Sequence, residues 1–382
     1  MSYGYNGTPL RRRLDVLAIV TCLVPACAAP LSAEVARDAM QSLQDQAILY
    51  KSPTGPVRHL ALSGRLQAET TWFDADQGSY DDTRWRRFRF GFKGQLPGQW
   101  VVRLEGDFDL NESSNDWYSR LTEANLGWTD ERSGLQLKLL KHSAGFTLDG
   151  ATSSKKLLTL QRNNLTNNLW FTAEYFTGIT VSSLDDGRWS YRASLFSSDD
   201  DDEIGATEAS YFTVLTAGYD LSAQTGLDVA ALRLDYVYND EDEDANTRDF
   251  THVVSLSSQW QQGALHLHTD LALGDGHLGQ EDVWGLVLMP LYDFSELVQG
   301  VMRYTYLSSD GNNGLRLGRY EREIVGGRGD TYNEIYIGLN LFLDGHRLKW
   351  QTGLQYTVMD DNNNGAGDYD GWGITTGPRL YW

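Results

Sequence analysis

Along most of its length this chain alternates apolar and polar side chains with a period of two. In FRFGFKG, Phe88, Phe90 and Phe92 share one phase, and Arg87, Arg89 and Lys93 share the other. In RWSYRASLF, Trp189, Tyr191, Ala193 and Leu195 alternate with Arg188, Ser190, Arg192 and Ser194. In RLKWQTGLQYT, Leu348, Trp350, Leu354 and Tyr356 alternate with Arg347, Lys349, Gln351 and Gln355. Successive side chains point to opposite faces in a strand, so each such run is predicted to be a strand with one apolar and one polar face. About sixteen runs qualify: 59–72, 85–95, 100–109, 119–129, 135–142, 177–184, 188–197, 210–219, 228–238, 250–260, 264–273, 283–290, 297–306, 332–342, 346–357 and 372–382. Most are close to the ~9–11 residues with which a tilted strand crosses a bilayer.

The connections sharpen this reading. Those after even-numbered runs are mostly short, as in QLPGQ, TDERSG, QQG and LDGH. Those after odd-numbered runs are long and acidic, as in FDADQGSYDDTR, SSDDDDEIGATEAS, NDEDEDANTRD and MDDNNNGAGDYDG. An up-and-down membrane barrel has such a division between periplasmic turns and external loops. The polar phase carries charges on successive strands, too many for a dry core. If the apolar phase meets lipid, the polar phase lines water and those charges stay hydrated. The fold expected is therefore all-β: a transmembrane antiparallel β-barrel of about sixteen strands with a long constriction loop.

Composition fits an exported membrane barrel. The formal net charge of −20, with no long basic tract, argues against a general nucleic-acid binder. Twelve Trp and twenty Tyr are a heavy load of side chains that favour boundaries between apolar and wet surroundings. Arg11, Arg12 and Arg13 precede a mostly apolar run to Ala29, so 1–33 reads as an export signal. Cys22 and Cys27 both lie in that signal, leaving the mature chain with neither a disulfide nor a thiolate site. Segment 34–56 is expected to be a short N-terminal periplasmic piece, with Val35, Met40, Leu43, Ala47 and Ile48 on the apolar side of a helix. The barrel domain is expected over 57–382. Its last strand places Trp372, Ile374, Leu380 and Trp382 in one phase, toward lipid.

The stretch RRFRFGFKGQLPGQWVVRLEGDFD resembles the opening of the phosphate-selective porin O and P family. The likeness continues through LKLLKHSAGFTLDGATSSKKLLTLQRNNLTNNL, where Phe146, Ser153, Ser154 and Arg162 stand for the family's Phe-containing linker, Thr-Ser-Ser segment and Arg-containing stretch. It is best over 84–182. Where the family has Gly-Gln-Phe after the fifth strand, this chain has Leu140-Lys141-His142. The terminal Thr375-x-Gly377-x-x-Leu380-x-Trp382 is similar to the C-terminal assembly signal of outer-membrane barrels. The resemblance implies a sixteen-stranded, usually trimeric outer-membrane channel, some members of the family having basic ladders for phosphate. The partners implied are outer-membrane lipid, lipopolysaccharide and small anions. No cofactor is implied.

The longest connection, 143–176, holds Lys155, Lys156 and Arg162 and is expected to fold inward as the constriction. Inward-phase bases are Arg87, Arg89, Lys93, Arg103, Lys138, Arg192, Arg233, Arg303, Arg347, Lys349 and Arg379; inward-phase acids are Glu105, Asp107, Asp109, Glu123, Asp235, Asp270 and Glu334. This excess of bases predicts an anion path, centred on Lys155, Lys156, Arg162, Arg87, Arg89, Arg103, Lys138 and Arg192. Mutual neutralisation across the lumen is the alternative. His266, His268 and Asp270 share a strand face but suit a polar lining better than a metal site. In DDNNNGAGDYDG, Asp360, Asn362, Asn364, Gly365 and Asp368 have calcium-loop spacing, but Gly371 occupies the place of the bidentate Glu. No local catalytic signature or nucleotide-binding glycine motif occurs, so an enzyme is not expected. A barrel enzyme and a closed adhesion or structural barrel are the competing readings.

Overall fold

The computed structural model describes residues 33–382, apart from 113–115, 172–173, 185–186, 200–202 and 312–313; the expected signal lies, save its last residue, outside the described residues. Helix α1 (Ala33–Ala47) leads into a short strand β1 (Ile48–Lys51). Then come β2 (His59–Ala75), β3 (Gly78–Leu96), β4 (Trp100–Phe108), β5 (Tyr118–Asp130) and β6 (Leu135–Ser143). A long connection holds α2 (Leu148–Ala151) and α3 (Asn164–Leu169). Next are β7 (Tyr175–Ser183), β8 (Trp189–Ser197), β9 (Tyr211–Asp220), α4 (Ser222–Thr225), β10 (Val229–Asn239) and β11 (Phe250–Gln262). The remainder is β12 (Leu265–Gly276), β13 (Val283–Asp293), β14 (Val298–Ser309), a small ribbon of β15 (Leu315–Arg316) and β16 (Arg328–Gly329), then β17 (Thr331–Asp344), β18 (Leu348–Asp360) and β19 (Tyr369–Tyr381).

Strands β2 to β14 pair in chain order, β14 pairs with β17, and β19 returns to β2. The result is a closed antiparallel barrel of sixteen strands, and each predicted run is one of them. One connection differs from expectation. FDADQGSYDDTR is no loop: β2 and β3 run on to Ala75 and Gly78 and meet at the two residues Asp76-Gln77. Aromatic packing supports this projecting hairpin, because Tyr320 stacks on Tyr80 at 6.0 Å and lies 5.5 Å from Phe73.

At the seam, the Gly64 amide donates to the Trp382 carbonyl at 3.2 Å and the Trp382 amide to the Gly64 carbonyl at 3.1 Å. The Trp382 ring lies over Gly64, where a β-carbon would come within 2.3 Å of Cζ2. Trp372 is exposed on the outer wall, as expected, and packs on Tyr356. Ile374, although in the same phase, is buried in line with Trp72 and Leu354.

The interior departs most from a uniformly polar lining. Inward side chains of β8–β14, including Phe196, Phe212, Val237, Val253, Val287 and Val301, bury against Phe146, Leu165, Leu169 and Phe171 of the β6–β7 connection. In DVWGLVLMPL both phases are apolar: Trp284 and Leu288 are exposed outside while Val283, Val287 and Leu291 are buried inside. Each large apolar side chain buried this way contributes roughly 1.5–3 kcal/mol and helps hold the loop against this part of the wall. In α1 the buried residues are Ala36, Met40 and Ala47 and Leu43 is half-buried, so Met40, Leu43 and Ala47 lie on the covered face as expected while Val35 is exposed. Ile48 belongs to β1, which pairs with the first residues of β2. Arg347, expected on the lumen wall, sits at the β17–β18 turn instead, bonded to Asp344 at 2.7 Å and to Gln44 of α1.

A β-carbon on Gly377 would lie 2.0 Å from the Ala68 carbonyl oxygen across the seam. Gly377→Ala is therefore expected to cost roughly 1–3 kcal/mol of overpacking and to lower, by several degrees, the temperature at which the fast-migrating folded form disappears from detergent gels. Gly326→Ala, where nothing lies within 4 Å of the added carbon, should leave that temperature unchanged.

Candidate functional site

The β6–β7 connection crosses the lumen, and wall side chains satisfy its backbone. At its base, Thr147 caps α2 by accepting from the Gly150 amide. The Thr147 amide donates to Asp235 at 3.1 Å and the Leu148 amide to Asp270 at 2.8 Å, so two wall carboxylates clamp the start of the helix. Asp149 accepts both the backbone and side-chain N–H of Asn163 at 2.8 Å, tying the two limbs of the loop together. At the tip, the Leu157 carbonyl accepts from Lys349 and from Gln351. The Leu158 carbonyl accepts from Asn340 at 2.9 Å and the Leu160 carbonyl from Arg379 at 3.1 Å. Irregular backbone at membrane depth requires such partners.

Water-accessible space includes two cavities against the β2–β5 wall and a third, about 500 Å³, on the β8–β11 side, bordered by Thr147, Arg188, Thr216, Arg233, Ser257 and Gln259. Of the first two, the inner one, about 490 Å³ at the short-turn rim, is bordered by Arg65, Lys93, Arg103, Glu105, Glu123 and Lys155, with α1 and Tyr381 at its edge. The outer one, about 370 Å³, is lined by nine arginines: Arg86, Arg87, Arg89 and Arg120 from the wall, Arg162 from the loop, Arg248, and Arg316, Arg319 and Arg322 from the β14–β17 connection. Its acids are Asp107 and Glu174. These two cavities abut, since Arg65 of the inner one is the register partner of Arg89 in the outer one. Where they meet lies a layer of ion pairs, Arg65–Glu105 at 2.9 Å and Arg89–Asp107 at 3.1 Å.

Of the residues expected to form the path, Arg87, Arg89 and Arg162 line the outer cavity and Lys155 and Arg103 the inner one. Arg162 is largely a brace: it donates to the Asp149 and Thr152 carbonyls, lies 4.4 Å over the Trp170 ring and is 3.6 Å from Glu174. Burial works against the Glu174 carboxylate, but Arg162, Arg89 and Arg87 outweigh it and hold its pKa well below the usual range. Lys155 stands over the Tyr381 ring at 5.2 Å. Burial, with Arg65 behind it, lowers its pKa to about 8. Lys156 is exposed and borders neither cavity, and Lys138 lies outside both. Arg192 binds the Gly145 carbonyl and Thr216, holding the loop rather than lining the path.

Several residues that matter here were not singled out from the sequence. Arg65 and Glu69 follow the alternation in LSGRLQAETTW and were legible. Arg86 was not: a bulge opposite Gln67 and Ala68 shifts its phase, placing it 3.4 Å from Glu69. The β14–β17 connection is a second inward loop, with Leu315, Leu317, Tyr320 and Val325 buried. His266 bonds to Asp293 and Asp270 to the loop; among the described residues no group of three or more His, Asp or Glu could hold a metal. In the acidic loop after β18, Asp361 accepts the amides of Asn363 and Gly367, while Asp368 accepts the Asp361 amide.

The sequence pattern of the phosphate-selective porin O and P family matches residues 60–292, well over half of the chain. The chain belongs to the phosphate-selective porin O and P family. It is therefore an outer-membrane channel. Among solved structures, the anion-selective porin from Comamonas acidovorans matches with a TM-score of 0.60 at 13% identity, covering 85% of this chain and 99% of that one. OmpF of Salmonella typhi, solved with daunomycin, matches with a TM-score of 0.61 at 12% identity, covering 85% and 98%. The outer membrane channel DcaP of Acinetobacter baumannii matches at 0.55 and 12%, covering 87% and 99%. These likenesses carry the fold of the porin. No curated protein matches it by sequence.

Removing the Asp270 clamp tests how the loop is held. Asp270→Ala strips an acceptor from the buried Leu148 amide, a loss of roughly 1–3 kcal/mol, and should give noisier single-channel currents with a higher mean conductance. Asp270→Asn keeps a carbonyl oxygen in place and should remain close to the unmodified porin.

Proposed function

We propose that this porin is a passive channel for small hydrophilic anions, phosphate among them, which pass along the basic half of the lumen. The observation that carries the reading is the outer cavity, where nine arginines face two carboxylates although the whole chain is strongly acidic. Low-dielectric walls focus such a field, drawing anions in and repelling cations. Charge influence decays over roughly 8–10 Å at physiological salt, so the acidic external loops are partly screened from the throat. Lys155 continues the basic surface into the inner cavity. The barrel conducts rather than catalyses, and it works as a homotrimer in contact with lipid and lipopolysaccharide, after removal of an export signal within 1–33. OmpT of Vibrio cholerae, at 11% identity and a TM-score of 0.54, has been solved in a trimer form.

Reversal potentials in asymmetric KCl test the proposal. The porin should favour chloride, and a cation preference would overturn the reading. Lys155→Gln should lower the anion-to-cation ratio, whereas Lys156→Gln, at a position bordering neither cavity, should not. Lys155 is charged below its pKa of about 8 and neutral above it. Raising pH through that value should thus weaken anion preference, and Lys155→Gln should lessen the pH dependence.

A further inference from the structure

The cations of the outer cavity differ in how far they are neutralised. Arg86 has Glu69 at 3.4 Å, Arg89 has Asp107 at 3.1 Å, and Arg162 has Glu174 at 3.6 Å. Arg87 bonds to the Gln67 amide oxygen. Among the described residues Arg316, Arg319 and Arg322 form no ion pair, although Glu321 and Glu323 lie near enough to Arg322 to act on it, and all three border the cavity. Arg248 also lacks an ion pair but is engaged by the Trp170 and Asn167 carbonyls. An ion pair acts at a distance as a dipole, while an unpaired guanidinium acts as a full charge.

The loop that carries these three is built into place. Asn168 receives the Arg316 amide at 2.8 Å and donates to the Arg316 carbonyl at 3.1 Å, and Asn164 donates to the same carbonyl at 2.8 Å. Tyr320 donates its hydroxyl to Glu69, and Glu321 accepts from Gln355 at 2.6 Å. The second loop therefore rests on the first and on β2 and β18. Burial, reinforced by the guanidinium groups of Arg328 and Arg322, lowers the pKa of Arg316 to about 10, which leaves it charged at neutral pH.

We infer that the β14–β17 connection is the charge filter of the outer mouth, with Arg316, Arg319 and Arg322 as its specificity-determining residues. The longer β6–β7 loop shapes the passage and serves as the platform on which that filter is mounted. The inference rests on the anion-channel reading and locates its selectivity.

The test is reversal potential in planar bilayers under a dilute KCl gradient, with folding of every variant checked by heat-modifiable migration. Replacing all three arginines by Gln should lower the anion-to-cation ratio by a factor of at least about three, more than Lys155→Gln does. Replacing all three by Lys keeps the charge and should hold the ratio within about two-fold of the unmodified porin. Tyr320→Phe frees the loop from Glu69 without altering charge at neutral pH; it should raise conductance and lower the ratio in part. Should the triple Gln variant not fold, Arg319→Gln alone should still lower the ratio, and no change would count against the filter. An anion-selective porin whose ratio the triple Gln variant leaves unchanged overturns the inference while the proposed function stands. If the unmodified porin prefers cations, the proposed function fails; a further shift toward cations in the triple variant would still support the filter, and no shift would overturn it.

Discussion

Every backbone amide that lies at membrane depth has to find its partner inside the protein. For the sixteen wall strands the ladders supply those partners, and closure of β19 on β2 removes the free edges. For the irregular chain inside the lumen the partners are side chains of the wall. Lys349, Gln351, Asn340, Arg379 and Gln67 each give an N–H to a carbonyl of the inward loop, and Asp235 and Asp270 each receive an amide from it. Many polar side chains of the lumen are thus structural: they replace a missing strand ladder.

This use of the wall divides the barrel. From β8 to β14 apolar side chains of the inner face pack on the loop, although a polar cavity of about 500 Å³ remains beside β8–β11, while from β2 to β5 the inner face is charged and borders the other two cavities. The loop leaves less water-accessible space than an open cylinder would have, so a modest number of bases can dominate the field there. This division also explains how an acidic protein can present a basic passage. Most acids inside are committed to arginines, as Glu69 is to Arg379 at 2.7 Å and Glu334 to Arg303 at 2.8 Å. Asp270 and Asp149 instead hold backbone amides, and Glu321 accepts from Gln355.

The strands were legible because alternation is a local property, set by the geometry of an extended chain. The extension of β2 to Ala75 and of β3 back to Gly78 was hidden, because acidic residues at a strand end look like those of a loop. The inward course of 143–176 could be expected from its length, and Lys155 and Arg162 do meet the cavities. The separation of Lys155 from its neighbour Lys156 could not be read, since it depends on how an irregular turn is oriented. The apolar stretch of wall was visible in DVWGLVLMPL, where both phases are apolar, but only a known closed barrel tells which phase faces in. The second loop was hidden more deeply. Its attachments join Tyr320 to Glu69 and Arg316 to Asn168, across separations that no local pattern encodes.

The inward loop is fastened to β10 and β12 at its base and to β17–β19 and β2 near its tip, and the second loop lies on top of it. Such a body is too widely anchored to be threaded into a finished cylinder. Wall and contents are therefore one body, in which neither the cylinder nor the loop is complete without the other. The paired amides and carbonyls of Gly64 and Trp382 hold that wall closed around its filling.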